Sequence, residues 1–169
     1  CADIFGTPQA NTLTGSAQKD NISGGAGADI IDAGAEDDTV EYSSEAQSIK
    51  GGSGVDTLKI IGKNNVYIDL SETGQNANQI KILSDDNDYQ NASGAIVSEF
   101  ENVDASQSSG SITIIGKDGI NMITKGGSNS DTIFGASGND VIRGKQGNDT
   151  VKGGSGNDII YGNKGSDIL

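Results

Sequence analysis

The chain has 169 residues and a formal net charge of −13; 26 residues are Gly, while Trp and His are absent. Only 33% of its residues are hydrophobic and 4% aromatic, too few for an ordinary self-sufficient core. Lacking His and holding a single Cys, it cannot build a zinc site, a thiolate cluster, an internal disulfide or a His-dependent catalytic centre. The acidic excess repels nucleic acid and anionic membrane surfaces, which leaves cations as the expected partners.

Cys1 reads as a processing or lipidation position or as the start of a fragment. From there an aliphatic residue recurs every nine positions: Ile4, Leu13, Ile22, Ile31, Val40, Ile49 and Leu58. Two residues before these stand Asp20, Asp29, Asp38 and Asp56, with Asn11 and Gln47 as neutral substitutes. Glycines precede the acid, as in Gly24-Gly25-Ala26-Gly27-Ala28-Asp29. The repeat over 42–50 keeps Ile49 but loses its glycines and its acid.

Between 60 and 115 the beat fails. VYIDL at 66–70 and SITII at 111–115 alternate like strands, while QIKIL at 79–83 and AIVSEFENV at 95–103 are mixed. DDND at 85–88 lacks the Gly and the terminal Glu of an EF-hand loop. This stretch reads as solenoid coils with longer turns and no metal ladder, or as a small inserted β element. The beat then resumes through Ile114, Ile123, Ile133, Ile142, Val151, Ile160 and Leu169, with one ten-residue step placed between Ile123 and Ile133. Its polar positions are Asn121, Asp131, Asp140, Asp149, Asp158 and Asp167.

One turn and one very short strand per nonamer gives a single inward side chain, which makes a core only when repeats stack. Stacked glycine turns let carbonyls converge, and each adds a carboxylate, forming a cage of hard oxygens of the kind Ca²⁺ prefers over Mg²⁺. An antiparallel meander with ordinary hairpin turns is the competing reading, but it would lack a core and stack uncompensated carboxylates.

The Gly-Gly-x-Gly-x-Asp-x-aliphatic-x pattern resembles the repeats-in-toxin (RTX) family of secreted bacterial proteins over roughly 6–59 and 116–169. The resemblance implies an all-β parallel β-roll of roughly nine coils, with repeat n stacked on repeat n+2. It is one elongated domain in three parts, 1–59, 60–115 and 116–169. It also implies that each Ca²⁺ takes the carbonyls of positions 2 and 4 and the Asp of one turn. The turn above adds the carbonyls of positions 1 and 3 and its own Asp.

Carried onto this chain, Ala136, Gly138 and Asp140 join Gly153, Ser155 and Asp158. Gly127, Asn129 and Asp131 join Gly144, Gln146 and Asp149, and Lys145, Gly147 and Asp149 join Gly162, Lys164 and Asp167. Lys117, Gly119 and Asn121 join Gly135, Ser137 and Asp140. In the first block Ser16, Gln18 and Asp20 face Ala33, Ala35 and Asp38, and Gly34, Glu36 and Asp38 face Gly51, Ser53 and Asp56. Thr7, Gln9 and Asn11 face Gly24, Ala26 and Asp29. That makes seven candidate sites, whose ions would bring about as much positive charge as the −13 excess.

The implied function is a structural calcium-binding module of a secreted or cell-surface bacterial protein, such as an adhesin, surface-layer protein or toxin. It would pass the type I secretion machinery unfolded and fold on calcium outside. The alternative is the secretion and folding-assistance tail of a metalloprotease or lipase whose catalytic domain lies elsewhere. Neither His-Glu-x-x-His nor Gly-x-Ser-x-Gly occurs in the chain, so no enzyme activity is expected of it. Ice binding would need an ordered outward Thr/Asn ladder, whereas the outward Asn139, Asn148, Asn157 and Ser166 are mixed with Lys and Arg.

Overall fold

The computed structural model describes residues 2–42, 46, 48–62, 64–74, 77–83, 94–120 and 122–169. Cys1, Gln47, Asn121 and the DDND run at 85–88 therefore lie outside the described residues. Every named element is a strand. The first block supplies β1 (Asp3–Phe5), β2 (Thr12–Thr14), β3 (Asn21–Ser23), β4 (Ile30–Asp32), β5 (Thr39–Tyr42), β6 (Ser48–Lys50) and β7 (Thr57–Gly62). The middle supplies β8 (Asn65–Asp69), β9 (Gln79–Leu83), β10 (Gly94–Ser98), β11 (Asn102–Ser108) and β12 (Ile112–Ile115). The last block supplies β13 (Ile123–Lys125), β14 (Thr132–Phe134), β15 (Val141–Gln146), β16 (Thr150–Lys152) and β17 (Ile159–Lys164).

Apart from β8, β9 and β10, which share one sheet, strands alternate between two sheets. One has the order β1-β3-β5-β7-β11-β13-β15-β17, and the other β16-β14-β12-β8-β9-β10-β6-β4-β2. Each nonamer therefore pairs in parallel with the nonamer two repeats on, as in Ile4↔Ile22 and Leu13↔Ile31. The result is a β-solenoid in which each three-residue strand turns one aliphatic residue inward. Ile22, Ile31, Val40, Ile49, Leu58, Ile114, Ile133, Ile142 and Val151 are all buried at 2% exposure or less. Ile4, Leu13 and Ile160 are partly buried against them. Leu169 stays exposed.

Through the middle the two sheets behave differently. On the first sheet the solenoid continues unbroken, with Leu58 beside Val103 and Val103 beside Thr124. On the second sheet β9 is inserted antiparallel to both β8 and β10, through Ile68↔Ile80 and Ala95↔Ile80. Residues 58 to 103 thus make one turn of the first sheet, which is why the solenoid has about eight turns rather than nine. Longer apolar side chains fill this wider section, among them Phe100, Ile60 and Leu70.

The ladder needs one correction. Thr124, not Ile123, stands beside Ile142, and Thr124 is fully buried while Ile123 is 48% exposed. The ten-residue step falls between Ile114 and Thr124, because the turn that starts at Gly116 carries one extra residue: Gly116 N–H donates to Phe134 O, 18 residues on, where Gly135 N–H donates to Lys152 O, 17 on. Ile at 123 satisfied the nine-residue count by coincidence.

The Thr124 hydroxyl is buried without a hydrogen-bond partner. Thr124→Val should therefore raise stability by about 1 kcal/mol, read from a denaturation midpoint. Ile123→Thr should change it by less than about 0.5 kcal/mol. The opposite ranking would place Ile123 in the core.

Candidate metal centre

Position 6 of each turn ties two coils together. Its Oδ1 accepts the backbone N–H of position 6 one coil below: Asp20 N–H donates to Asp38 at 2.7 Å, Asp38 N–H to Asp56 at 2.8 Å, and Asp131 N–H to Asp149 at 2.9 Å. Asp140 N–H donates to Asp158 and Asp149 N–H to Asp167, both at 3.0 Å, and Asn11 N–H donates to Asp29 at 2.9 Å. The Asp side chains form two columns, one along each edge of the solenoid, and Asp20, Asp29, Asp38, Asp56, Asp131, Asp140 and Asp149 are almost wholly buried.

The second oxygen explains the first glycine. Oδ2 of Asp29, Asp140, Asp149, Asp158 and Asp167 folds back over Gly24, Gly135, Gly144, Gly153 and Gly162 of its own turn, where a β-carbon would collide with it. Glycines at positions 2 and 4 answer to the neighbouring coil. Gly154 and Gly156 have φ of 109° and 136°, and a β-carbon on either would overlap the carbonyl of Ala136 or Gly138 below. Those carbonyls therefore point into the gap between turns.

The structure stacks the residues of the strongest candidate site as follows. Ser155 N–H donates to Ala136 O at 3.0 Å and Gly138 N–H to Ser155 O at 2.9 Å, with Asp140 and Asp158 beside them. Gly147 N–H donates to Lys164 O at 3.0 Å, bringing Lys145, Gly147 and Asp149 against Gly162, Lys164 and Asp167. Ser53 N–H donates to Gly34 O at 3.1 Å, bringing Gly34, Glu36 and Asp38 against Gly51, Ser53 and Asp56. Ala35 N–H likewise meets Ser16 O at 3.2 Å and Gln146 N–H meets Gly127 O at 3.4 Å, which pairs the Asp20 turn with Asp38 and the Asp131 turn, with Asn129, with Asp149. Each carbonyl keeps a second lone pair beyond the one it uses here.

The turn at 116–122 departs from the expectation. Met122 N–H donates to Asp140 Oδ1 at 2.8 Å, so Met122 holds the place reserved for Asn121. Its sulfur lies over Gly116 where an Asp oxygen lies over Gly135. Gly119 N–H still meets Ser137 O at 2.8 Å, but this turn puts no carboxylate in the column; its Asp118 instead accepts the Ser137 hydroxyl at 3.0 Å.

Two features were not anticipated. Glu101 occupies an acidic place in the first column, accepting Asp56 N–H at 2.8 Å; its position two residues before Val103 was the available signal. Position 5 forms a second ladder running the other way, in which Asn139 Oδ1 accepts Asn157 N–H at 2.8 Å and Asn148 Oδ1 accepts Ser166 N–H at 2.9 Å. The recurring Asn before Asp in the last block was visible but unexplained.

Whether these turns suit a cation is decided by the carboxylates. Oδ2 of Asp29, Asp38, Asp56, Asp140 and Asp149 is buried with no hydrogen-bond donor. An ionised oxygen left so is costly unless a positive charge meets it. Among the described residues no three acidic, His or Cys side chains gather to hold a metal alone, so carbonyls must complete the shell. An all-oxygen donor set of two carboxylates and several carbonyls fits Ca²⁺.

Burial pushes the carboxyls of Asp56 and Asp131 up to about 6. Burial, then the next Asp in the column, also raises Asp38, Asp140 and Asp149. Asp20 is lowered instead, chiefly by the Ser16 hydroxyl. A raised folded value means stability that is present below the unfolded value of 3.8 and lost as pH climbs through about 6. In EDTA, β content measured by circular dichroism should therefore be greater near pH 4 than at pH 7.5. A metal-free signal that grows with pH would contradict this.

The RTX calcium-binding nonapeptide repeat model matches the chain in four copies, one at residues 5–40 and three that overlap at 113–142, 125–151 and 134–169. Among curated proteins none matches it. The matched segments cover more than half of the chain and coincide with the parallel coils and their Asp columns, and the chain belongs to the RTX calcium-binding repeat family.

Proposed function

We propose that this calcium-binding β-roll is the structural module of a secreted or cell-surface bacterial protein, and that calcium drives its folding after export. The observation that carries this reading is the set of five buried Asp oxygens without donors, on a chain of net charge −13. At cytosolic calcium the ionised columns repel and the coils cannot close. Sites of the extracellular type fill at about 10⁻⁴–10⁻³ M, so calcium outside the cell neutralises the columns and binding free energy becomes folding free energy. An unfolded chain inside the cell suits export through the type I secretion machinery. The β-roll thus acts as a stiff, ion-locked spacer or platform for whatever the parent protein presents, as in an adhesin, surface-layer protein or toxin.

The chain itself carries out no hydrolysis. Its buried acids are committed to coil stacking, and it has no His and only one Cys to serve as base or nucleophile. Assays on peptide, ester and glycosidic substrates should be blank; turnover abolished by a single substitution in the chain would overturn this.

Far-ultraviolet circular dichroism at neutral pH should pass from coil in EDTA to β in millimolar Ca²⁺, and millimolar Mg²⁺ should not substitute. A full β spectrum in EDTA at neutral pH would sink the coupled-folding reading.

A further inference from the structure

The turns are of two kinds. In the turns ending at Asp29, Asp38, Asp56, Asp140, Asp149, Asp158 and Asp167, positions 2 and 4 both have positive φ. These include non-glycine residues, with Glu36 at 72°, Ala136 at 77°, Lys145 at 85° and Asn163 at 75°. In the turns ending at Asn11, Asp20 and Asp131 neither position does.

The second kind closes on itself. Ser16 N–H and its hydroxyl both donate to Asp20 Oδ2 at 2.7 Å, Gly127 N–H donates to Asp131 Oδ2 at 2.6 Å, and Thr7 N–H donates to Asn11 Oδ1 at 2.5 Å. Since Oδ1 of Asp20 and Asp131 already accepts a backbone N–H from Ala2 or Ile112, both oxygens are engaged. With positive φ at position 2 the same N–H is directed elsewhere, and Oδ2 of Asp29, Asp38, Asp56, Asp140 and Asp149 is left buried without a donor.

We propose that backbone hydrogen bonds take the place of calcium in the closed turns, and that calcium occupies only the interfaces where one open turn lies directly over another. The proposal rests on the calcium reading above. Three of the seven candidate sites qualify: Asp38 with Asp56, Asp140 with Asp158, and Asp149 with Asp167. The open Asp29 turn lies over the closed Asn11 turn, so of the five donor-free oxygens its own is the one these three ions do not meet. The lower turn of every other candidate is closed on itself or, at Met122, has no carboxylate in the column position, its Asp118 being engaged by the Ser137 hydroxyl. Above Asp56 the full turn is replaced by the short run from Glu99 to Glu101, whose Glu99 carbonyl lies over Gly51.

The arrangement has a direction. Closed turns begin the first block, and the Met122 turn followed by the closed Asp131 turn begins the second, with the open turns stacked after them in each. In both blocks the first calcium-dependent interface is thus laid on a turn that forms without a cation, the Asp20 turn under Asp38 and the Met122 and Asp131 turns under Asp140 and Asp149.

The test is calcium stoichiometry by isothermal titration calorimetry on the full chain. The wild type should bind three ions. Asp20→Asn and Asp131→Asn should still bind three, while Asp140→Asn and Asp149→Asn should bind two each. Uniform filling of all seven sites would instead remove one ion with Asp131→Asn and two with Asp149→Asn. The wild-type count needs no variant to fold, and any bound number other than three overturns the proposal. A chain that binds no calcium at all would refute the calcium reading itself.

Discussion

A carboxylate oxygen buried without a donor must meet a proton or a cation, and the architecture of this chain repeats that requirement coil after coil. One oxygen of each Asp stitches its coil to the one below through a backbone N–H, at 2.7–3.0 Å. The same bond draws the other oxygen out of water. Stacking and charge burial are therefore one event. Hydrophobic ladders alone are thin here, with one inward aliphatic per short strand, so the coils depend on how that second oxygen is neutralised.

The other features of the nonamer follow from this constraint. In turns such as those of Asp29 and Asp140 position 1 is Gly because the Asp of the same turn lies over it (the Asp38 turn has Ala33 there), and positions 2 and 4 take positive φ so that successive turns can approach. Where position 2 is Ser16 or Gly127 without that conformation, the turn uses its own N–H to satisfy the acid instead. Placing Ala136 or Lys145 in the left-handed region costs roughly 1 kcal/mol or more each. That cost is consistent with a state whose turns are held by an ion rather than by local preference.

Most of the fold was legible because a nine-residue period leaves few alternatives. The aliphatic beat located the inward residues of both blocks, and the acid two residues earlier located the columns. What escaped was local. A one-residue insertion at 116–122 shifted Thr124 into the ladder and Met122 into the acidic column, and counting could not detect it because Ile123 happened to be aliphatic. An inserted β element was one reading of the middle, but the antiparallel direction of β9 was not readable, since strand direction in an irregular stretch depends on pairing partners far along the chain. Residue types could set the two candidate sites with a neutral Asn, at Asn11 and Asn121, below the other five, but could not separate those five. The difference between closed and open turns lies in the backbone angle of position 2, which Ser16 and Gly127 adopt differently from Gly34 or Ala136.

The central claim is that the Asp columns keep the chain open until calcium neutralises them. Small-angle X-ray scattering at neutral pH reads this as chain dimension. For 169 residues the radius of gyration in EDTA should approach the unfolded value of about 43 Å. Saturating Ca²⁺ should bring it down toward the compact range of about 16 Å. An unchanged, compact radius in EDTA would contradict the account.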